Sequence, residues 1–257
     1  MSDWSPTKYA QYADLRLRPA GELMGAVGSL PEGAIMDLGC GSGGVGHLLT
    51  ERFPGHTLYG LEKSEAMREA ALETGYYADI LSGDLASHEL AGDFALIFTN
   101  AALNWVPDHR SVLPHLMQFL APGGWFAMQV PSQHDAPSHV LAREVASRLD
   151  PEAFPDTDAN SNVLPPRSYV SILEPFGEVR VWMTEYMQEI KAPFGHPVRH
   201  FTQATYLRPY LDHFGGQGRL DAYLDAYDTE LNAAYPIDRQ GRAWFPFKRL
   251  FVVMQKG

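Results

Sequence analysis

Cysteine is nearly missing from this chain: Cys40 is the only one in 257 residues, so no disulfide can close within it. Positive charge is also scarce. Lys and Arg number 20 against 31 Asp and Glu, a formal net charge of −11, and no basic run occurs. Binding to DNA or RNA rests on neutralising phosphates with Lys and Arg, so this balance argues against a nucleic-acid partner and favours a small molecule. Long apolar stretches are absent as well, the longest being a handful of residues where a membrane-spanning helix needs roughly 20. The opening residues, MSDWSPTKYAQYADLRLRPA, have neither the basic start nor the apolar centre of a signal peptide, which predicts a soluble, cytoplasmic protein. What remains is an ordinary globular composition, 45% hydrophobic and 20% charged, with enough chain to bury the core of one domain or of a domain plus a cap.

From residue 34 to about 131, apolar runs alternate with helical patterns. The runs Ala34–Leu38, Thr57–Leu61, Tyr77–Leu81, Phe94–Thr99 and Trp125–Val130 read as strands. Val45–Arg52, Ser64–Thr74 (Ser64 as N-cap) and His109–Leu120, stopping before APGG, read as helices. This alternation is the signature of stacked βαβ units and a parallel sheet. Beyond a helix at Ser138–Leu149, the polar, proline-rich residues 150–167 read as a surface loop. Glu178–Met187 and Lys248–Lys256 read as the last strands, with helical pattern such as Leu220–Leu231 between them. The expected fold class is therefore α/β: a Rossmann-like, seven-stranded, mostly parallel sheet with a helical cap. We expect one domain over 1–257, with 1–30 as a segment covering a cofactor and 132–175 and 190–246 as cap insertions.

Five glycines crowd the stretch after the first strand, AIMDLGCGSGGVGHLL at residues 34–49. Their spacing fits G-x-G-x-x-G at Gly39, Gly41 and Gly44 and again at Gly41, Gly43 and Gly46, which alone suggests a pyrophosphate on a helix N-terminus, as in a nicotinamide-dependent oxidoreductase. The strand ends argue otherwise, because open α/β sheets bind ligands at the carboxyl ends of their strands. The first strand ends in Asp37, which would repel a pyrophosphate but suit a cationic cofactor carrying an ammonium group. Glu62 ends the second, where a carboxylate can accept from both ribose hydroxyls. The third ends in SGDL, placing Asp84 where it could accept from an adenine amino group with Leu85 beside the ring. The fourth ends in FTNAALNW, a polar and aromatic loop.

These residues give residues 34–131 a resemblance to the class I S-adenosylmethionine-dependent methyltransferases. Nearly the whole chain is similar to the trans-aconitate methyltransferase family, through MSDWSP, RPA ending at Ala20, DLGCGSG, LIFTNAALNWVPDH, LRPYL at Leu207–Leu211 and a terminal FP followed by RLFVV. The resemblance implies S-adenosylmethionine as cofactor, lined by Asp37, Gly39, Cys40, Gly41, Glu62, Met67, Asp84, Leu85 and Asn100, with Gly43, Ala101 and Arg18 in the same set. It implies methyl transfer to a carboxylate of a small, anionic polycarboxylic acid, giving a monomethyl ester. Methylation of another small molecule at N, C or O, and cofactor binding without turnover, stay open as alternatives. Where the family reads Gln-Met-Pro-Asp-Asn, this chain has Gln129-Val130-Pro131-Ser132-Gln133. It also has Asn104 for a glutamine before the tryptophan, and Tyr206 for a glycine before LRP.

A carboxylate acceptor is already ionised at neutral pH, so no catalytic acid or base is assigned; position carries the chemistry. Arginine grips carboxylates at two points, and the acceptor set is Arg16, Arg208, Arg249, Tyr206, Trp105 and Gln129, with His109 and His134 as weaker cations. No metal is expected. DTDANSN from Asp156 has alternating oxygen ligands but Ser161 and Arg167 at the positions where a calcium loop needs Gly and Glu. His196 and His200 have i, i+4 spacing, but no Glu follows His196. Cys40 reads as packing rather than a nucleophile. Trp4, Tyr9 and Tyr12 read as residues that pack or close over the cofactor.

Overall fold

The computed structural model describes residues 13–155, 161–203 and 205–257, the first four by backbone alone. Trp4, Tyr9, Tyr12, the side chain of Arg16 and residues 156–160 of the calcium-like stretch therefore lie outside the described residues. The chain divides into two compact units, one of Met1–Pro131, Asn162–Thr184 and Arg249–Gly257, the other of Ser132–Ser161 and Glu185–Lys248.

Seven strands form one sheet in the order β3-β2-β1-β4-β5-β7-β6. They are β1 (Ala34–Leu38), β2 (Leu58–Glu62), β3 (Asp79–Ser82), β4 (Phe94–Asn100), β5 (Leu120–Pro131), β6 (Gly177–Lys191) and β7 (Arg242–Lys256). The first five run parallel, and β7 pairs antiparallel to β5 with Gln129 opposite Phe251 and Pro131 opposite Arg249. β1 and β4 are apolar along nearly their whole length because both faces are covered; six of the seven residues of β4 are buried. The core of the first unit gathers Met36, Leu38, Ile97, Leu113, Phe126, Met128 and Val252. Since β2 and β3 lie on one side of β1 and β4 and β5 on the other, the strand order reverses between β1 and β4, the place where open α/β sheets form their crevice.

The crevice is shaped by a close approach. Gly39, just past β1, has φ +69°, and a Cβ there would fall 2.4 Å from the Cβ of Ala102, just past β4. Ala101 itself is held at φ +56°, a conformation that costs an L-residue energy, while its N–H donates to Gln129 O at 2.8 Å. The glycine is there because a second loop occupies its side-chain space. Gly43 and Gly46 are likewise covered by protein, the first by Ala71 and the Tyr77 ring, the second by the Tyr77 ring and the Tyr76 Cβ.

Element boundaries differ from the sequence reading at several places, four of them with a readable cause or effect. β3 starts at Asp79, not Tyr77, because the Tyr77 ring turns back over the glycine loop. The helix His109–Met117 ends early, and APGG is a bulge within β5: Leu120 pairs with Phe94, then Trp125 with Leu96. β7 begins at Arg242, six residues before the expected start. The last difference is a helix, Pro166–Leu173, where residues up to 167 read as loop; Pro166 occupies its first turn, where a missing N–H costs nothing.

That helix is fastened by a buried chain of hydrogen bonds. The Leu164 N–H donates to the Tyr169 hydroxyl (3.1 Å), which lies 2.8 Å from His109 Nδ1, and His109 Nε2 lies 2.8 Å from Leu103 O. A carbonyl can only accept, so the Nε2–H form is present and Nδ1 accepts from Tyr169. Burial pushes the His109 pKa below its ordinary value. His109 is thus a neutral structural residue and not the carboxylate-binding cation weighed from sequence.

Two stability effects follow. Gly39→Ala should cost about 2–4 kcal/mol, from positive-φ strain and overpacking against Ala102. Tyr169→Phe should cost about 1–3 kcal/mol because it orphans the Leu164 N–H and His109 Nδ1. Thermal melts read both, each kcal/mol lowering Tm by about 2–4 °C in a chain of this size.

Candidate active site

Three acidic side chains stand at the carboxyl ends of β1, β2 and β3, each held differently. Asp37 is 1% exposed. Its Oδ2 accepts from the Tyr77 hydroxyl at 2.8 Å, and no basic side chain pairs with it among the described residues. Burial is the main reason its pKa rises to about 7; the Tyr77 hydrogen bond opposes the shift and the nearby Glu62 charge adds to it. Tyr77 itself is pushed up by burial and by Asp37, so it remains a donor. The sequence reading missed Tyr77, which it had placed in a strand.

Glu62 accepts from two backbone amides, Gly41 N–H at 3.1 Å and Ser64 N–H at 2.9 Å. Its carboxylate is thereby oriented, and about two of its four lone-pair sites stay available for other donors. Ser64 also caps the helix Glu65–Glu73 by accepting from Met67 N–H at 3.4 Å, as the sequence suggested, and Met67 is buried beneath it. Asp84 pairs with Lys63 at 2.9 Å and accepts from Ala86 N–H at 3.0 Å. Those two bonds, the backbone one first, hold its pKa below the ordinary value.

Among the turn glycines of the cofactor set, Gly41 alone is open: its φ is +56° and no atom lies within 4 Å of where its Cβ would be. Its main chain can be approached closely, whereas Gly39 and Gly43 face protein. Cys40 is buried with its sulfur against Gly60 and its thiol pKa driven up by burial, which suits packing. Any ligand contact from Cys40 falls to its main chain. Leu85 packs beside Gly39.

At the end of β4 the structure joins three assigned residues in one hydrogen-bonded line. Arg249 Nη1 donates to Gln129 Oε1 at 2.9 Å, and Gln129 Nε2 donates to Asn100 Oδ1 at 2.7 Å. Arg249 is 3% exposed and Gln129 fully buried, so the guanidinium fixes the Gln129 amide, which fixes Asn100. Trp105 is 49% exposed. With the Asn104 amide turned to satisfy both of its ends, Asn104 donates to Ala101 O (2.9 Å) and accepts from the Trp105 indole (3.1 Å). The residue that departs from the family pattern thus braces the tryptophan.

The other assigned residues are spread more widely. Arg18 is exposed on the helix whose described part is Ala13–Gly25. Arg208 opens the helix Arg208–Gly216 in the second unit, and Tyr206 lies two residues before it. His196 Nε2 and His200 Nε2 each sit against a backbone carbonyl, of Tyr235 and Phe194, and no group of three metal-ligating side chains occurs among the described residues. No helix among them is long and apolar enough to cross a membrane.

A methyltransferase-domain family profile matches residues 9–215. The trans-aconitate 2-methyltransferase of Sinorhizobium fredii is 38% identical over 98% of both chains. That of Acidovorax ebreus is 37% identical over 100% of this chain and 99% of its own. Among solved structures, the YcgJ protein of Bacillus subtilis has a TM-score of 0.61 at 14% identity, covering 93% of this chain and 98% of its own. A geranyl diphosphate C-methyltransferase of Streptomyces coelicolor, solved with S-adenosyl-L-homocysteine, has a TM-score of 0.52 at 15% identity over 95% and 77%. The chain belongs to the methyltransferase-domain family, alongside the trans-aconitate 2-methyltransferases that it matches from end to end.

Proposed function

We propose that the protein transfers the methyl group of S-adenosylmethionine to a carboxylate of trans-aconitate or a closely similar polycarboxylic acid. The products are a monomethyl ester and S-adenosylhomocysteine. One observation carries the reading: the crevice is rimmed by oriented carboxylates, Asp37, Glu62 and Asp84, where a pyrophosphate would need N–H groups. The end-to-end kinship supports the acceptor. S-adenosylhomocysteine in a solved methyltransferase of like fold supports the donor.

The residues present fit that donor. Asp37 is a buried carboxyl whose pKa of about 7 reflects the cost of holding charge without a counter-ion, and an ammonium would supply one. When bound, S-adenosylmethionine supplies a methyl carbon on a cationic sulfur, open to in-line displacement. Glu62 is pre-oriented to accept from ribose hydroxyls and Asp84 from an adenine amino group, with Met67 and Leu85 giving apolar contact. Gly41 lets the main chain approach the ligand. Cys40, Gly39, Gly43, Asn100, Ala101 and Arg18 complete the cofactor set.

On the acceptor side the reading assigns Trp105, Gln129, Arg249, Tyr206, Arg208 and Arg16. The acceptor carboxylate is ionised at neutral pH, so no side chain need take its proton and none is assigned as acid or base. Holding the two partners in line can supply roughly 7–11 kcal/mol of the barrier. Arg249 acts as a positioning residue through Gln129 and Asn100.

Incubation with methyl-labelled cofactor and trans-aconitate should put label in a base-labile ester. Base-stable label, or label only on another nucleophile in the panel, would replace the acceptor assignment. The pH dependence of S-adenosylhomocysteine binding offers a separate check, since that product keeps the ammonium. Affinity should rise about tenfold per pH unit below the Asp37 value of about 7 and level off above it, because the ammonium pairs with the ionised form. Asp37→Asn should flatten the profile; an unchanged slope in calorimetry would remove Asp37 from the role. The same shift makes the unliganded protein lose stability as pH climbs from about 4 through about 7, because the unfolded carboxyl ionises first.

A further inference from the structure

Tyr77 lies just ahead of β3, where the chain sends its side chain across the glycine turn of the same unit. Ala78 N–H donates to Leu58 O at 2.8 Å, which starts the pairing of this segment with β2. The Tyr77 ring is buried and seated on the turn, 3.1 Å from where a Cβ on Gly43 would stand and 2.7 Å from one on Gly46. From that seat its hydroxyl reaches Asp37 Oδ2 at 2.8 Å, forty residues back. Covering the turn requires only the ring, which phenylalanine also has. The hydroxyl is what tyrosine adds, and its hydrogen bond goes to the buried acid.

Few ionisable groups surround Asp37. Tyr77 faces it from ahead of β3, Glu62 from the end of β2 and Cys40 from the turn. On the other side, β4 places Phe98 at the paired position. None of these is a base. Glu62 works against a charge on Asp37, and the Cys40 thiol, pushed up by burial, stays neutral. Among the described residues the Tyr77 hydroxyl is therefore the group that favours the carboxylate form, since a hydrogen bond to an ionised acceptor is roughly twice as strong as one to a neutral acceptor. It takes Oδ2, and Oδ1 accepts no hydrogen bond from the described residues.

We infer that Tyr77 is a positioning residue for the methyl donor: its hydroxyl, carried over the turn by a ring seated on Gly43 and Gly46, fixes Asp37 through Oδ2 and leaves Oδ1 to the donor's ammonium. The inference rests on the donor reading above and adds to it the residue that readies the acid. With the hydroxyl in place the carboxylate is turned and its charge supported before the ligand arrives. Without it, more of the protein must lose a proton from Asp37 at the moment of binding.

The test is calorimetry of S-adenosylhomocysteine binding to the full chain between about pH 6 and pH 8, on either side of the Asp37 value. The wild type is compared with Tyr77→Phe, Asp37→Asn and the double variant. Tyr77→Phe keeps the ring and removes the hydroxyl. It should raise the midpoint of the affinity profile by about 1–2 pH units, the equivalent of one hydrogen bond to a charged group. Affinity near pH 6 should then fall about 10- to 100-fold, and the deficit should shrink several-fold by about pH 8 as more of the variant's acid ionises. An analogue of S-adenosylhomocysteine with hydrogen in place of the ammonium should bind Tyr77→Phe as well as it binds the wild type. Beside Asp37→Asn, removing the hydroxyl should cost no further affinity. A deficit that is equal at every pH, shared by the analogue or undiminished beside Asp37→Asn overturns the inference, as does no deficit.

Melts of the unliganded protein give a second readout. The stability lost as pH climbs from about 4 should go on being lost about 1–2 units higher in Tyr77→Phe, because the folded carboxyl then ionises later. An unmoved profile overturns the inference. Wild type that binds no S-adenosylhomocysteine removes the donor reading and the ammonium with it, whatever the melts show. Wild type that binds with the expected profile, unaltered by Tyr77→Phe, removes Tyr77 alone.

Discussion

A carboxyl group stripped of water is the constraint around which the glycine turn is organised. Asp37 ends a buried strand between two others, so its charge has no solvent to spread into. Among the described residues, only the Tyr77 hydroxyl answers it. To deliver that hydroxyl, the chain before β3 must fold back across the turn, and the ring then fills the space over Gly43 and Gly46. Much of the glycine content of the turn is thus the steric consequence of satisfying one acid. Glu62 depends on the same turn from the other direction, because Gly41, in the left-handed conformation that the turn adopts, donates to it. The neighbouring acids differ in cost: Asp37 resists ionisation, while Asp84, at the edge and paired with Lys63, ionises readily.

The parts of the fold legible in the sequence were those where one local signal dominates. The continuous apolar runs of β1 and β4, the Ser64 cap and the acids at the strand ends were all readable from residue type and spacing. Elements decided by distant partners were not. Tyr77 has strand propensity, but a contact forty residues away sets its conformation. The APGG bulge needs the register against β4 to be recognised as strand interior, since glycine and proline next to a helix pattern otherwise mean a stop. The prolines before Tyr169 signal a break and a start equally well.

The site followed the same division. Residue types at strand ends pointed to the crevice, but the burial that turned Arg249 inward to Gln129, and His109 into a neutral link, lies in the packing. An acidic chain can still present positive charge to an anion, provided a few cations are spared neutralisation and screening confines the rest to about 8 Å.

β7 lies between β5 and β6 in the sheet, yet it follows β6 by fifty residues in sequence. During synthesis, then, β6 leaves the ribosome before the strand that joins it to its neighbours exists, and the flank of β5 stays uncovered for the same interval. Both present open hydrogen-bonding edges, the kind of surface on which nascent chains self-associate. On β6 the outward face, with Glu178, Arg180, Glu185, Glu189 and Lys191 exposed, keeps one side of that waiting strand polar. Its composition therefore answers to the birth of the polypeptide as much as to its finished form.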